Sequence, residues 1–151
     1  MRLKSSRQYF RGITLVEIIL VVAILLIMAV SYEAVGSNFL ARNRFQNTTN
    51  ETLSFIRTAQ INAMAGKGDS EWGVKIDANQ IILFKGSSYL GRDPTFDEIF
   101  NIGQGVSVTN VEIIFDKITG NPDTTETISI LSPSGETATI SVNEIGIANV
   151  N

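Results

Sequence analysis

Cysteine and histidine are both missing from the 151 residues. Without cysteine no disulfide can close a loop, so the folded part must be held by packing or by some other tie. Without histidine the usual general base and the commonest metal ligand are gone. The serines, as at Ser87 and Ser88, stand in ordinary turn sequence with no base in view. No phosphate loop and no metal motif is present, so the sequence reads as a non-enzyme with no catalytic residue, no cofactor and no metal site. Proline is scarce at three residues, none of them between positions 31 and 65. Basic residues run out early: none follows Lys117, while Asp123, Glu126, Glu136 and Glu144 lie beyond it. Affinity for nucleic acid rests mainly on neutralising phosphates, so this acidic stretch makes a nucleic-acid partner an unfavourable reading.

What is present is concentrated at the front. Residues 13–30 are an apolar run whose one charge is Glu17. At ~1.5 Å per residue an eighteen-residue helix spans roughly 27 Å, close to the ~30 Å hydrocarbon core of a bilayer. Arg2, Lys4, Arg7 and Arg11 precede it with no acid among them, which predicts a cytoplasmic N-terminus and an exported remainder. Two details set the run apart from an ordinary anchor or secretory signal. A secretory signal carries its small-residue cleavage site after the apolar run, whereas Gly12 lies before it. An acid at the middle of a span costs ~2.5–3.5 kcal/mol and less near its end, so Glu17 needs a partner. With the four leading cations set aside, 8 basic residues face 15 acidic ones, a balance of −7 against −3 for the whole chain.

Arg11-Gly12-Ile13-Thr14-Leu15-Val16-Glu17-Ile18 resembles the prepilin processing motif of type IV pilins and type II secretion pseudopilins. The resemblance implies that a membrane peptidase cuts after Gly12 and methylates the new terminus at Ile13. Phenylalanine is the usual residue there, and isoleucine keeps the apolar character. It also implies that Glu17 serves assembly, taking the Ile13 amine of a neighbouring subunit.

In order along the chain, residues 1–12 are a polar, basic leader to be removed, and 13–30 are the membrane half of a helix. The helix is expected to continue through 31–66, with Val35, Phe39, Leu40, Phe45, Leu53, Ile56, Ala59, Ala63 and Met64 on one face. Arg42, Arg44, Glu51 and Arg57 lie between as exposed charges. Gly36 and Asn47-Thr48-Thr49-Asn50 are weak helix formers, which predicts a bend or fraying. Asn47 and Asn50 head glycosylation-like triplets and are read as solvent-facing helix positions. Gly66 then supplies the stop. Residues 67–151 switch to a period of two and form a β-rich head. Trp72, Val74 and Ile76 alternate, Asp77-Ala78-Asn79 turns, and 81–84 return as a hairpin. Asp93-Pro94-Thr95-Phe96-Asp97-Glu98 reads as a helix start, with a capping acid, proline at the first position and acids in the first turn. Strands are expected at 106–109, 111–115, 127–131 and 137–142, with a last edge strand from Asn143-Glu144-Ile145-Gly146-Ile147. Asp116, Asp123 and Glu126 flank one turn and read as solvated turn residues, the alternative being the cation-binding loop of major pseudopilins.

The order of long helix, Trp72-Gly73-Val74, strands and an Asn-x-x-Gly-x tail resembles the branch holding the H-type minor pseudopilin and related minor pilins. It implies an α+β pilin fold, a long N-terminal helix packed on a small antiparallel sheet or two-sheet sandwich. It further implies a structural minor subunit of a type IV pilus-like filament or type II secretion pseudopilus. The expected partners are the prepilin peptidase, other pilin or pseudopilin subunits and the inner-membrane assembly platform. The expected location is the inner membrane, single-pass, with the head outside and then in a filament. The alternative function is that of a DNA-capturing minor pilin for natural transformation.

Overall fold

The computed structural model describes residues 14–151, and of 30–38 the helical backbone alone. The leader 1–12 and Ile13 therefore lie outside the described residues. The chain is α+β: helix α1 (Leu15–Met64), then strands β1 (Trp72–Ile76), β2 (Gln80–Lys85), β3 (Asp93–Asn101), β4 (Ser107–Val108), β5 (Val111–Phe115), β6 (Glu126–Leu131), β7 (Thr137–Val142) and β8 (Ala148–Val150). It divides into two compact units between Ser37 and Asn38.

Within the second unit, α1 runs through Asn47–Asn50 without fraying. The expected fraying is absent although both threonines are turned inward, Thr48 with its hydroxyl buried and without a hydrogen-bond partner among the described residues. Thr48 and Thr49 are buried, and Thr49 Oγ1 donates to Phe45 O at 2.9 Å. Thr52 repeats the device one turn on, donating to Thr48 O at 2.7 Å, so the hydroxyls of Thr49 and Thr52 are satisfied by the carbonyls four residues back. Asn47 and Asn50 point to solvent, as expected. The buried stripe is thus Thr48, Thr52, Ile56, Ala59 and Ala63. Phe39, Leu40 and Met64, assigned inward by spacing, are 69%, 52% and 53% exposed. α1 ends where Gly66 takes φ 60°, in the left-handed region that suits glycine.

Two four-stranded antiparallel sheets follow, ordered β3-β2-β1-β5 and β4-β6-β7-β8. Alternation dictates their faces. Trp72, Val74, Ile76, Ile81, Leu83, Ile113 and Phe115 from the first sheet meet Ile128, Ile130, Ile140 and Val142 from the second in one core with Ile56, Ala59 and Ala63 of α1. The second sheet turns serines and threonines outward, among them Thr127, Ser129 and Ser141. The first does not simply face water. Phe84 lies on its outer face, buried against Tyr89 with ring centroids 5.7 Å apart. Its ring crosses β1 at Gly73, where a Cβ would stand 2.5 Å from Cζ, so that strand position admits no side chain.

The segment 93–98 is a strand, not a helix start. β3 is the sheet's edge, where proline's missing N–H removes no ladder bond, and 98–101 pair with 80–83 in register. Asp93 behaves as a local cap all the same: its Oδ1 accepts the Thr95 hydroxyl at 2.6 Å and amide at 3.2 Å. That turn leads into the irregularity opposite Leu83 and Lys85. The tail also differs from expectation. Asn143–Ile147 is a turn, with Asn143 Oδ1 accepting the amides of Ile145 and Ile147 (3.2 and 2.8 Å), and the edge strand comes after it as β8.

Candidate assembly surface

Thr14 stands just before α1 and caps it. Its carbonyl accepts the amides of Glu17 and Ile18 at 3.1 and 3.3 Å, and its Oγ1 accepts the Glu17 amide at 3.3 Å. Thr-x-x-Glu is the pattern of a capping box, a signal that the motif carries in its own sequence. The cap fixes Glu17 in the first turn, where the helix dipole favours a negative charge. Gly12 and Ile13, the expected processing residues, lie outside the described residues.

From Leu15 to Met28, Glu17 apart, the helix is apolar on every side. Leu15, Val16, Ile18, Leu20, Leu25 and Leu26 are each more than half exposed. Exposure at consecutive positions means that no single face is buried, unlike the amphipathic part of α1. A helix apolar all round requires other helices or lipid about it. Among the described residues, no helix is long and apolar enough to cross a membrane; the expected span 13–30 reaches past the described side chains at both ends.

The head's acids are not gathered into a site. Among the described residues no group of three acidic side chains could hold a metal ion. Asp123 Oδ1 accepts the Ile114 amide at 3.1 Å, and Glu126 accepts the Thr124 hydroxyl at 3.3 Å. In the 93–98 stretch, the hydroxyl and amide of Thr95 hold the Asp93 carboxyl below its usual range. Asp97 accepts from Arg92 Nε at 2.8 Å, which raises the guanidinium further. Arg92 also donates to Tyr89 O at 2.8 Å and lies 3.9 Å from that ring's centroid, while Tyr89 N donates to Glu112 at 2.8 Å. These contacts strap 86–92 over the outer face of the first sheet, and nothing in the spacing of 86–92 announces them.

Several cations that nucleic acid would need are already engaged. Lys75 faces Glu112 across β1 and β5 at 3.8 Å. Lys117 pairs with Asp69 and, by hydrogen bond and charge, holds that exposed carboxyl below its usual value. Lys67 and Lys85 lie over Trp72 and Phe96, 5.0 and 4.4 Å from the ring centroids. Comparison with protein-family models, curated proteins and solved structures finds no significant match to this chain.

Proposed function

We propose that this chain is a structural minor subunit of a type IV pilus-like filament or a type II secretion pseudopilus. In this reading the chain is inserted in the inner membrane through residues 13–30, cut after Gly12, methylated at Ile13 and assembled through its N-terminal helix. The observation that carries it is the all-round exposed apolar surface of α1 behind a capped Glu17. The core of the unit 38–151 is closed by its own residues, so that surface is left for other helices and lipid. The amphipathic part of α1 on two antiparallel sheets agrees with a pilin fold. The peptidase, the assembly platform and sibling subunits are the partners this reading requires.

Mass spectrometry of the full chain recovered from membranes tests it. The expected product begins at a methylated Ile13. A chain that keeps Met1, or one cut beyond the apolar run near Ala29, would overturn the filament reading.

A further inference from the structure

One face of α1 stays open along the unit 38–151. Phe39, Asn43 and Gln46, then Arg57, Ile61 and Met64, follow at the three-, four- and eleven-residue steps of a single helical face, and all six are exposed. The two ends of this face differ in chemistry. At the first, Phe39 and Arg42 line a groove of 370 Å³ with Asn43 and Gln46. Arg42 has no ion-pair partner among the described residues.

At the other end, three segments joined at Gln60 and Ala63 each carry exposed apolar residues. Ile61 and Met64 come from the helix. Ile118 is tied in by its amide, which donates to Ala63 O at 2.9 Å. Ile145 is tied in by its carbonyl, which accepts from Gln60 Nε2 at 2.8 Å. Their exposures are 63%, 53%, 69% and 59%. Ile118 also holds φ 76°, a conformation that a β-branched side chain rarely takes. Single exposed isoleucines are ordinary, but four exposed apolar residues on three segments held together by these bonds, one of them strained, mark a contact surface. Asp116 and Glu144 flank it, exposed and in no ion pair among the described residues. The nearby cations are engaged, Lys117 by Asp69 and Arg57 by the Ala148 carbonyl.

We propose that this face joins the heads of two copies of this chain. Phe39 and Arg42 of one copy seat on the Ile61, Met64, Ile118 and Ile145 cluster of the next, and Arg42 meets Asp116 and Glu144. The occupant is a second copy because both ends are apolar and the cation of one answers the acids of the other. Cluster against cluster would set acid against acid. The two ends lie roughly 30 Å apart along the helix, so the copies are staggered by that distance. Unlike ends make a heterologous contact, which leaves one end of each copy free for another. The inference rests on the filament reading for the parallel alignment of the helices.

The absence of native cysteine allows a direct test. Two differently tagged full-length chains, Asn43→Cys and Thr119→Cys, are co-expressed in the same membranes and treated with a short bis-maleimide. The mixed adduct is expected to exceed either like-with-like adduct. Arg42→Glu in the Asn43→Cys chain lowers it about tenfold, since like charges then meet, and Asp116→Arg with Glu144→Arg in the other chain restores it. Predominant like-with-like adducts, adducts only to another protein, indifference to charge reversal, or no adduct would each overturn the contact. Mass spectrometry of the same sample reads cleavage after Gly12. A processed chain without the mixed adduct sinks the head contact alone, and an unprocessed chain with it sinks the filament reading alone.

Discussion

Gln60 ties three parts of the head together in a chain that has no disulfide. Its Nε2 donates to Gly120 O at 3.2 Å and to Ile145 O at 2.8 Å. Gly146 holds φ 79°, and a Cβ there would lie 2.2 Å from that same nitrogen and 2.7 Å from Gly120 O. Gln60→Ala is expected to cost about 1–3 kcal/mol, two net hydrogen bonds. Gly146→Ala should cost at least as much, through both backbone strain and the clash. Because part of the clash is with Gln60 and goes with it, the double variant should fall short of the sum, which urea titration of the four proteins measures. At the first hairpin, Asp77 Oδ1 accepts the amides of Asn79 and Gln80 at 2.8 and 2.9 Å. Burial pushes its carboxyl up, but those bonds outweigh it and the value falls below the ordinary 3.8. A lowered value in the folded state contributes stability that is full above the unfolded value and lost as pH falls through the folded one. Asp77→Asn keeps the acceptor, so it should flatten the decline in melting temperature below about pH 4 without opening the turn. Asp77 could be read from its neighbours because its bonds are local. Gln60 could not, because both its acceptors come from sequence more than fifty residues away.

Among the elements, the strands that alternate cleanly were legible: β1, β2, β5, β6 and β7 fall within a residue of where their period of two puts them. β3 was not, because Asp93-Pro94 followed by acids is the grammar of a helix start. Nothing local says that 98–101 will find 80–83 and become an edge. The helix itself was legible in extent, but its inner face was displaced by threonines whose hydroxyls are hidden in i−4 bonds. At the other end of α1, the cap holds Glu17 one turn from the terminus that cleavage would create at Ile13. Four residues at ~1.5 Å set the two charges about 6 Å apart along the axis, and either can neutralise its counterpart on another chain. Glu17→Ala is therefore expected to leave insertion and cleavage intact while reducing recovery with sibling subunits, and Glu17→Asp to be intermediate. Co-purification of the full-length variants measures this. Normal incorporation of Glu17→Ala would remove this residue from assembly.

For the molecule as a whole, the core drawn from α1 and both sheets lies entirely beyond Asn38. A fragment of 38–151 is thus expected to unfold in one cooperative transition by calorimetry. The same fragment should give no salt-sensitive binding to DNA at about micromolar concentration in an anisotropy titration, since Lys75, Arg92 and Lys117 are already paired with acids. Binding of that kind would instead favour DNA capture. The junction at the end of α1 has a mechanical consequence. Gln60 grips the loops around Gly120 and Ile145, and the Ala63 carbonyl holds the Ile118 amide. A pull along α1 would load these bonds side by side rather than one after another, so the head would travel with its helix under force instead of peeling from it.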